Sequence, residues 1–304
     1  MVSFKLSGVV PPVFTPLNDD QTINFEVIPG YAQFLAKAGI KGVLVGGTTG
    51  ENMTRTVADR KRVIDAWVAA GKATGLHIMV QVGGAPLMDV VELARYSASA
   101  GVDSLLTLPE LYFKPTNVAE LVDYVGLVAA AAPTLPVLYY HIPRMNGVPV
   151  NMPAFVTEAT KRIPNFRGLK FTSNDLAEAK ETLKRLTGDQ QIFLGADSLQ
   201  APAALLGIKS AIGTFYNIAP QLPQQIYKAM EAGDVATAKA VQEKLSLAVE
   251  AISVEGSWVP VMKAAMELVT GLKMGPPSLP LRPISAEARK RIQERLTKQG
   301  FCAK

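Results

Sequence analysis

Eight short apolar runs, separated by stretches with helical spacing, constrain the fold of this chain more than any other feature. The runs begin at Gly8 (GVVPPVFTP), Gly42 (GVLVGGTTG), Ile78 (IMVQVGG), Ser104 (SLLTLPE), Leu135 (LPVLYYHIP), Phe166 (FRGLKFTS), Ile192 (IFLGAD) and Ser210 (SAIGTF). They lack the apolar–polar alternation of a half-exposed strand. Near-continuous apolar character is expected of parallel strands covered on both faces. Their starts recur about every 20–35 residues, the length of one βα unit. Among the intervening stretches, Thr56 with Asp59 three residues on makes a capping-box-like helix start, and Gly75 a helix stop. Eight such units predict an α/β fold of the (β/α)8 TIM-barrel type, ahead of a doubly wound open sheet.

The barrel is expected to occupy residues 1–232. Residues 233–304 carry helical patterns from Asp234 to about Ala251, from about Trp258 to Thr270 and after Ser285. The Pro/Gly-rich GLKMGPPSLPLRP, from Gly271, bridges the last two. This tail is read as a C-terminal helical extension packed on the barrel, not an independent domain.

At 304 residues and 48% apolar composition, the chain can bury roughly three-quarters of its unfolded surface in one core. Lysine and arginine outnumber aspartate and glutamate 31 to 26, giving +5. The basic triplets Arg60-Lys61-Arg62 and Arg289-Lys290-Arg291 fall on helical patterns and read as solvated faces. Nucleic acid is therefore not an expected partner, while a mild positive field favours a small anionic substrate. The longest gentle apolar run, Val125 to Ala132, is too short to span a membrane. The N-terminus carries no secretory pattern. A single cysteine, Cys302, allows no internal disulfide, which fits a cytoplasmic setting.

Barrel sites lie at the C-terminal ends of the strands. Those ends offer Thr15, Gly47-Thr48-Thr49-Gly50-Glu51, Gly83-Gly84, Tyr112, Tyr139-Tyr140, Lys170, Thr172, Gly195, Asp197, Ser198 and Gly213-Thr214. The set is rich in hydroxyls and glycines and poor in carboxylates and histidines. With only His77 and His141, and no HExxH or CxxC, no metal is expected. The dinucleotide fingerprint, the P-loop and the GxSxG elbow are missing as well, so no cofactor is expected.

Lys170 is the residue out of place. It sits between Leu169 and Phe171 at an apolar strand end, where desolvation disfavours the ammonium form. A lysine that is neutral part of the time can attack a ketone and form a Schiff base. Tyr140, ending the preceding apolar run, is the expected proton shuttle. Each residue has a plainer alternative. Lys170 can snorkel to solvent, Tyr140 can be a core tyrosine, the GGTTGE threonines can cap the helix at Val57, and Asp197 can cap the next helix. His141 is read as structural. Four candidates on one barrel rim favour the chemical reading.

GGTTGE, YYHIP and GLKFT, in this order and spacing, resemble the pyruvate-dependent class I aldolase family that contains dihydrodipicolinate synthase and N-acetylneuraminate lyase. The resemblance covers essentially the whole chain. YYHIP, GTFYN (from Gly213) and MGPPSLPL (from Met274) are most similar to the sialic-acid-cleaving branch in animals. The resemblance implies a lyase that cleaves N-acetylneuraminate reversibly to N-acetylmannosamine and pyruvate. It implies that Lys170 forms the Schiff base and that Tyr140 moves the proton at the bond being cleaved. Thr48 and Thr49 then bind the pyruvate carboxylate, a role that a helix N-terminus would also favour. Tyr112 is implied to complete a hydroxyl relay across a subunit interface, in a homotetramer. Thr172, Gly195, Asp197, Ser198 and Thr214 fall where the family holds the sugar.

Two departures bear on substrate choice. Dihydrodipicolinate synthases carry an arginine five residues after the tyrosine; here that position is Met145, and Arg144, one residue early, is expected to point elsewhere. Sialic-acid lyases usually carry a glutamate after the aspartate of GxD; here it is Ser198. The serine leaves a different 2-keto-3-deoxy sugar acid as the alternative substrate. A binding protein that has lost catalysis is disfavoured by the complete set Lys170, Tyr140 and Thr48.

Overall fold

The structure, a computed structural model, describes residues 2–302. Eight parallel strands form one sheet: β1 (Val9–Val10), β2 (Gly42–Val45), β3 (His77–Gln81), β4 (Ser104–Thr107), β5 (Val137–His141), β6 (Phe166–Phe171), β7 (Gln191–Leu194) and β8 (Ser210–Ile212). Around them run α1 (Val27–Lys37), α2 (Val57–Thr74), α3 (Leu87–Ala100), α4 (Val118–Ala131), the single turn α5 (Pro143–Asn146), α6 (Met152–Arg162), α7 (Leu176–Leu183), α8 (Gln200–Leu205) and α9 (Gln221–Glu231). The tail folds as α10 (Val235–Ser253), α11 (Trp258–Thr270) and α12 (Ala286–Lys298).

Every residue of β2, β4, β5 and β6 is buried, which accounts for their continuous apolar sequence. The sheet order runs β1-β8-β7 and onward to β2, and the last seam is drawn together by the Val13 amide on the Leu44 carbonyl and the Leu44 amide on that of Pro11, both 2.9 Å. One expectation is corrected here. The first run was read as a strand from Gly8 through Pro16, but only Val9 and Val10 pair as strand. Pro11 and Pro12 have no N–H to donate, so the ladder breaks and the seam survives on isolated bonds.

Helix α2 begins and ends where its sequence signals it. The Thr56 side chain accepts from the Asp59 amide, and Gly75 closes the helix with a left-handed φ of 74°. Two apolar layers hold the barrel. Inside it, Val10, Leu44, Met79, Leu106, Leu138, Phe193 and Ile212 interdigitate. Phe4 packs edge-on against Phe193 at 6.2 Å and against His77, the first residue of β3, at 5.9 Å, filling the N-terminal mouth. Outside it, outward-facing strand residues meet the helices. There Trp67 of α2 packs edge-on to Tyr31 of α1 at 5.4 Å, fully buried; truncating it to Ala would remove about 3–5 kcal/mol.

The tail shares that outer core through Leu245, Ala248, Ile252, Val261, Met262 and Ile292. Gln242 of α10 donates to the Asp197 carbonyl and accepts from the Ala201 amide, both at 2.9 Å. These bonds tie the tail to the loop after β7, on the functional rim. Among the described residues, no single helix is long and apolar enough to cross a membrane.

Candidate active site

Strands β5 and β6 pair so that Tyr140 lies opposite Lys170. Tyr140 belongs to the barrel-interior layer, and the Lys170 Nζ lies 4.1 Å from its ring centroid, over the face. Both are buried, at 2% and 5% exposure, at the base of a cavity of about 570 Å³ that opens at the C-terminal ends of the strands.

The turn after β2 supplies two hydroxyls. Thr48 Oγ1 is 3.4 Å from the Tyr140 hydroxyl, and Thr49 Oγ1 is 2.8 Å from Thr214 Oγ1. Thr15 donates to the Gly50 carbonyl at 2.7 Å, so it braces this turn and does not line the cavity. Neither Thr48 nor Thr49 caps α2, because Thr56 does. Burial pushes the Tyr140 phenol up. The Lys170 charge and the Thr48 hydroxyl outweigh it and hold the phenol below its ordinary value. A phenol so placed loses its proton more readily than a free tyrosine, which suits a proton shuttle.

Asp197 does not cap α8. Its Oδ2 accepts from the Phe215 amide at 3.3 Å, across the rim after β8. Burial raises its carboxyl to about 6, with the Phe215 amide and the Lys170 charge opposing. The two glycines of this region are required by close approach. A Cβ on Gly213 would lie 2.0 Å from Asp197 Oδ1, and one on Gly195 would lie 1.9 Å from Thr172 Oγ1. The Thr172 hydroxyl is buried and makes no hydrogen bond among the described residues. Ser198 is exposed at the cavity mouth. Thus Lys170, Tyr140, Thr48, Thr49, Thr172, Gly195, Asp197, Ser198 and Thr214 all line one cavity.

Tyr112 does not join them within the chain. It is 83% exposed and stacks edge-on with Phe113, itself 84% exposed, at 5.0 Å. His141 faces the outer layer, 5.0 Å from the Phe171 ring; burial pulls it down to about 4, so it is a neutral packing residue. The orientation expected for Arg144 is corrected. Strand alternation ends at His141, and Pro143 opens the turn α5, so Arg144 and Met145 both border the cavity. Trp258 was missed. It arrives from α11 and donates through Nε1 to Thr214 Oγ1 at 3.2 Å. Nothing local to its sequence marks it, because the extension must fold back over the rim to deliver it. Among the described residues, no three His, Cys, Asp or Glu side chains gather as metal ligands.

The model of the dihydrodipicolinate synthetase family matches residues 5–299. The N-acetylneuraminate lyase of Homo sapiens is 34% identical over 98% of this chain and 93% of its own length. Among solved structures, the N-acetylneuraminate lyase (sialic acid aldolase) of Aliivibrio salmonicida superposes with a TM-score of 0.93 at 35% identity, covering 99% of both chains. That of Proteus mirabilis superposes with 0.92 at 33% identity, covering 98% of this chain and all of its own.

Proposed function

The chain belongs to the dihydrodipicolinate synthetase family, and from that membership we propose that it is a class I aldolase cleaving N-acetylneuraminate reversibly to N-acetylmannosamine and pyruvate. The observation that carries the reading is the buried Lys170 lying over Tyr140 at the foot of a hydroxyl-lined cavity. Once it has given up its proton, the Lys170 amine attacks the C2 ketone of the open-chain sugar acid, and loss of water leaves an iminium on Lys170. Tyr140 takes the C4 hydroxyl proton. The C3–C4 bond breaks, its electron pair flows into the iminium to give an enamine, and N-acetylmannosamine leaves as the aldehyde. Proton return to C3 and hydrolysis release pyruvate and restore the amine.

The remaining residues position the substrate. Thr48 and Thr49 receive the carboxylate on their hydroxyls and turn amides, and Thr172, Gly195, Asp197, Ser198 and Thr214 receive the sugar hydroxyls. The same reading makes the chain one subunit of a cytoplasmic homotetramer. The paired, exposed Tyr112 and Phe113 support an interface there, through which Tyr112 of a neighbour would reach the relay. Exposed Ser198, too short to grip a long polyhydroxyl tail directly, favours a second reading with a shorter 2-keto-3-deoxy acid.

Release of pyruvate from N-acetylneuraminate, followed through lactate dehydrogenase, tests the proposal. Steady release supports it. A folded protein that releases none from this substrate but cleaves a shorter acid moves the assignment to the second reading, and one that cleaves neither removes both.

A further inference from the structure

Glu51 and Lys263 form an ion pair that the reaction outlined above does not use. Their side chains are 0% and 2% exposed, and Lys263 Nζ lies 2.7 Å from Glu51 Oε2, an ion contact without the alignment of a full hydrogen bond. Lys263 also donates to the Pro276 carbonyl at 2.9 Å, and Glu51 Oε1 accepts from the Ser278 amide at 2.6 Å. Glu51 adopts the left-handed region at φ 55°, a conformation that a non-glycine residue keeps only where its surroundings hold it. It ends the Thr48–Thr49–Gly50 turn, with its amide on the Thr48 carbonyl at 3.1 Å and its own carbonyl accepting from the Thr54 hydroxyl at 2.7 Å.

Lys263 sits on α11, the helix that also delivers Trp258. One end of the two-threonine turn is therefore held from α11 through Trp258, Thr214 and Thr49, and the other through Lys263 and Glu51. Buried ion pairs contribute little net stability compared with apolar groups of the same shape, so stability alone is a weak reason for this one. We propose that Glu51 and Lys263 are positioning residues. Together they fix the Thr48–Thr49 turn in its carboxylate-binding geometry, making α11 of the C-terminal extension a working part of the active site.

The proposal rests on the aldolase reading, in which that turn holds the keto-acid carboxylate. The test is borohydride trapping on full-length protein, comparing pyruvate with acetone, a ketone without the carboxylate. In Glu51→Gln/Lys263→Met, the pyruvate concentration for half-maximal trapping should rise about tenfold, the weight of a misaligned charge-assisted bond. Acetone trapping should stay within about twofold, because the lysine itself is untouched. If the double variant does not fold, Glu51→Gln/Lys263→Gln leaves no buried charge, keeps a donor for the Pro276 carbonyl and reports the same selective shift. An equal change for both ketones makes the pair merely structural and overturns the proposal, as does an unshifted pyruvate curve in a folded variant. Wild-type protein that traps no pyruvate overturns the aldolase reading and this proposal with it; wild-type trapping with an unshifted variant overturns the proposal alone.

Discussion

Replacing Asp197 by Asn should make the protein more stable and less active, with both effects governed by pH. The carboxyl stands at about 6 in the fold against an ordinary 3.8, because it is buried. A carboxyl whose folded value is raised favours the fold only while protonated. That contribution is complete below 3.8 and is lost as pH rises through about 6. Above this window the ionised, buried group destabilises the fold by about 3 kcal/mol. Asparagine has nearly the same shape and no charge at any pH. The stability advantage of the variant should be under about 1 kcal/mol near pH 4 and grow to about 3 kcal/mol near pH 8. Urea unfolding of both proteins across this range reads the difference directly. A difference that is flat with pH, or that grows toward acid, refutes the assignment of burial as the dominant effect. Activity should run the other way. Losing the ionised acceptor should lower kcat/KM for the sugar acid about 10–100-fold and abolish the acid-side inflection near pH 6.

Tyr140→Phe should lower kcat by roughly 10²–10⁴-fold while Lys170 still traps pyruvate, which separates the proton shuttle from the nucleophile; pre-steady-state pyruvate release checks this, and an unchanged kcat reassigns the shuttle. Gly213→Ala forces a methyl group to within 2.0 Å of Asp197 Oδ1 and should lower stability by about 1–3 kcal/mol, read as a lower urea midpoint. Ser198→Glu adds a charged acceptor at the mouth and should improve kcat/KM for N-acetylneuraminate by about tenfold relative to a shorter 2-keto-3-deoxy acid. Equal changes for the two acids would take position 198 out of substrate selection.

Much of this architecture is legible because local sequence and global fold agree. Strands buried on both faces announce themselves as unbroken apolar runs, and Thr56 and Gly75 mark α2 by capping chemistry that needs no tertiary partner. Lys170 stands out for the same reason, as a charge next to the end of a strand that is otherwise apolar apart from Arg167. Features that depend on the chain returning to itself leave weaker traces. Trp258 and Lys263 lie in a helix far along the chain from the turn they support, and only a lysine inside the apolar VPVMKAAM hints at a buried partner. Asp197 looks like a helix cap, yet its carboxylate serves the Phe215 amide beyond β8, which only the pairing of β7 with β8 brings near. Arg144 lies within the one-turn helix α5, so strand alternation does not give its direction. Tyr112 and Phe113 are exposed in the single chain, so a strand-end position alone does not bring Tyr112 to the cavity.

The central claim is that Lys170 is the covalent nucleophile. Sodium borohydride added to the protein with pyruvate, followed by peptide mass spectrometry, tests it most directly. The account predicts a reduced pyruvyl adduct on the peptide containing Lys170 and none in Lys170→Ala, which should keep its fold. An adduct on another lysine, or lyase turnover that persists in Lys170→Ala, would contradict it.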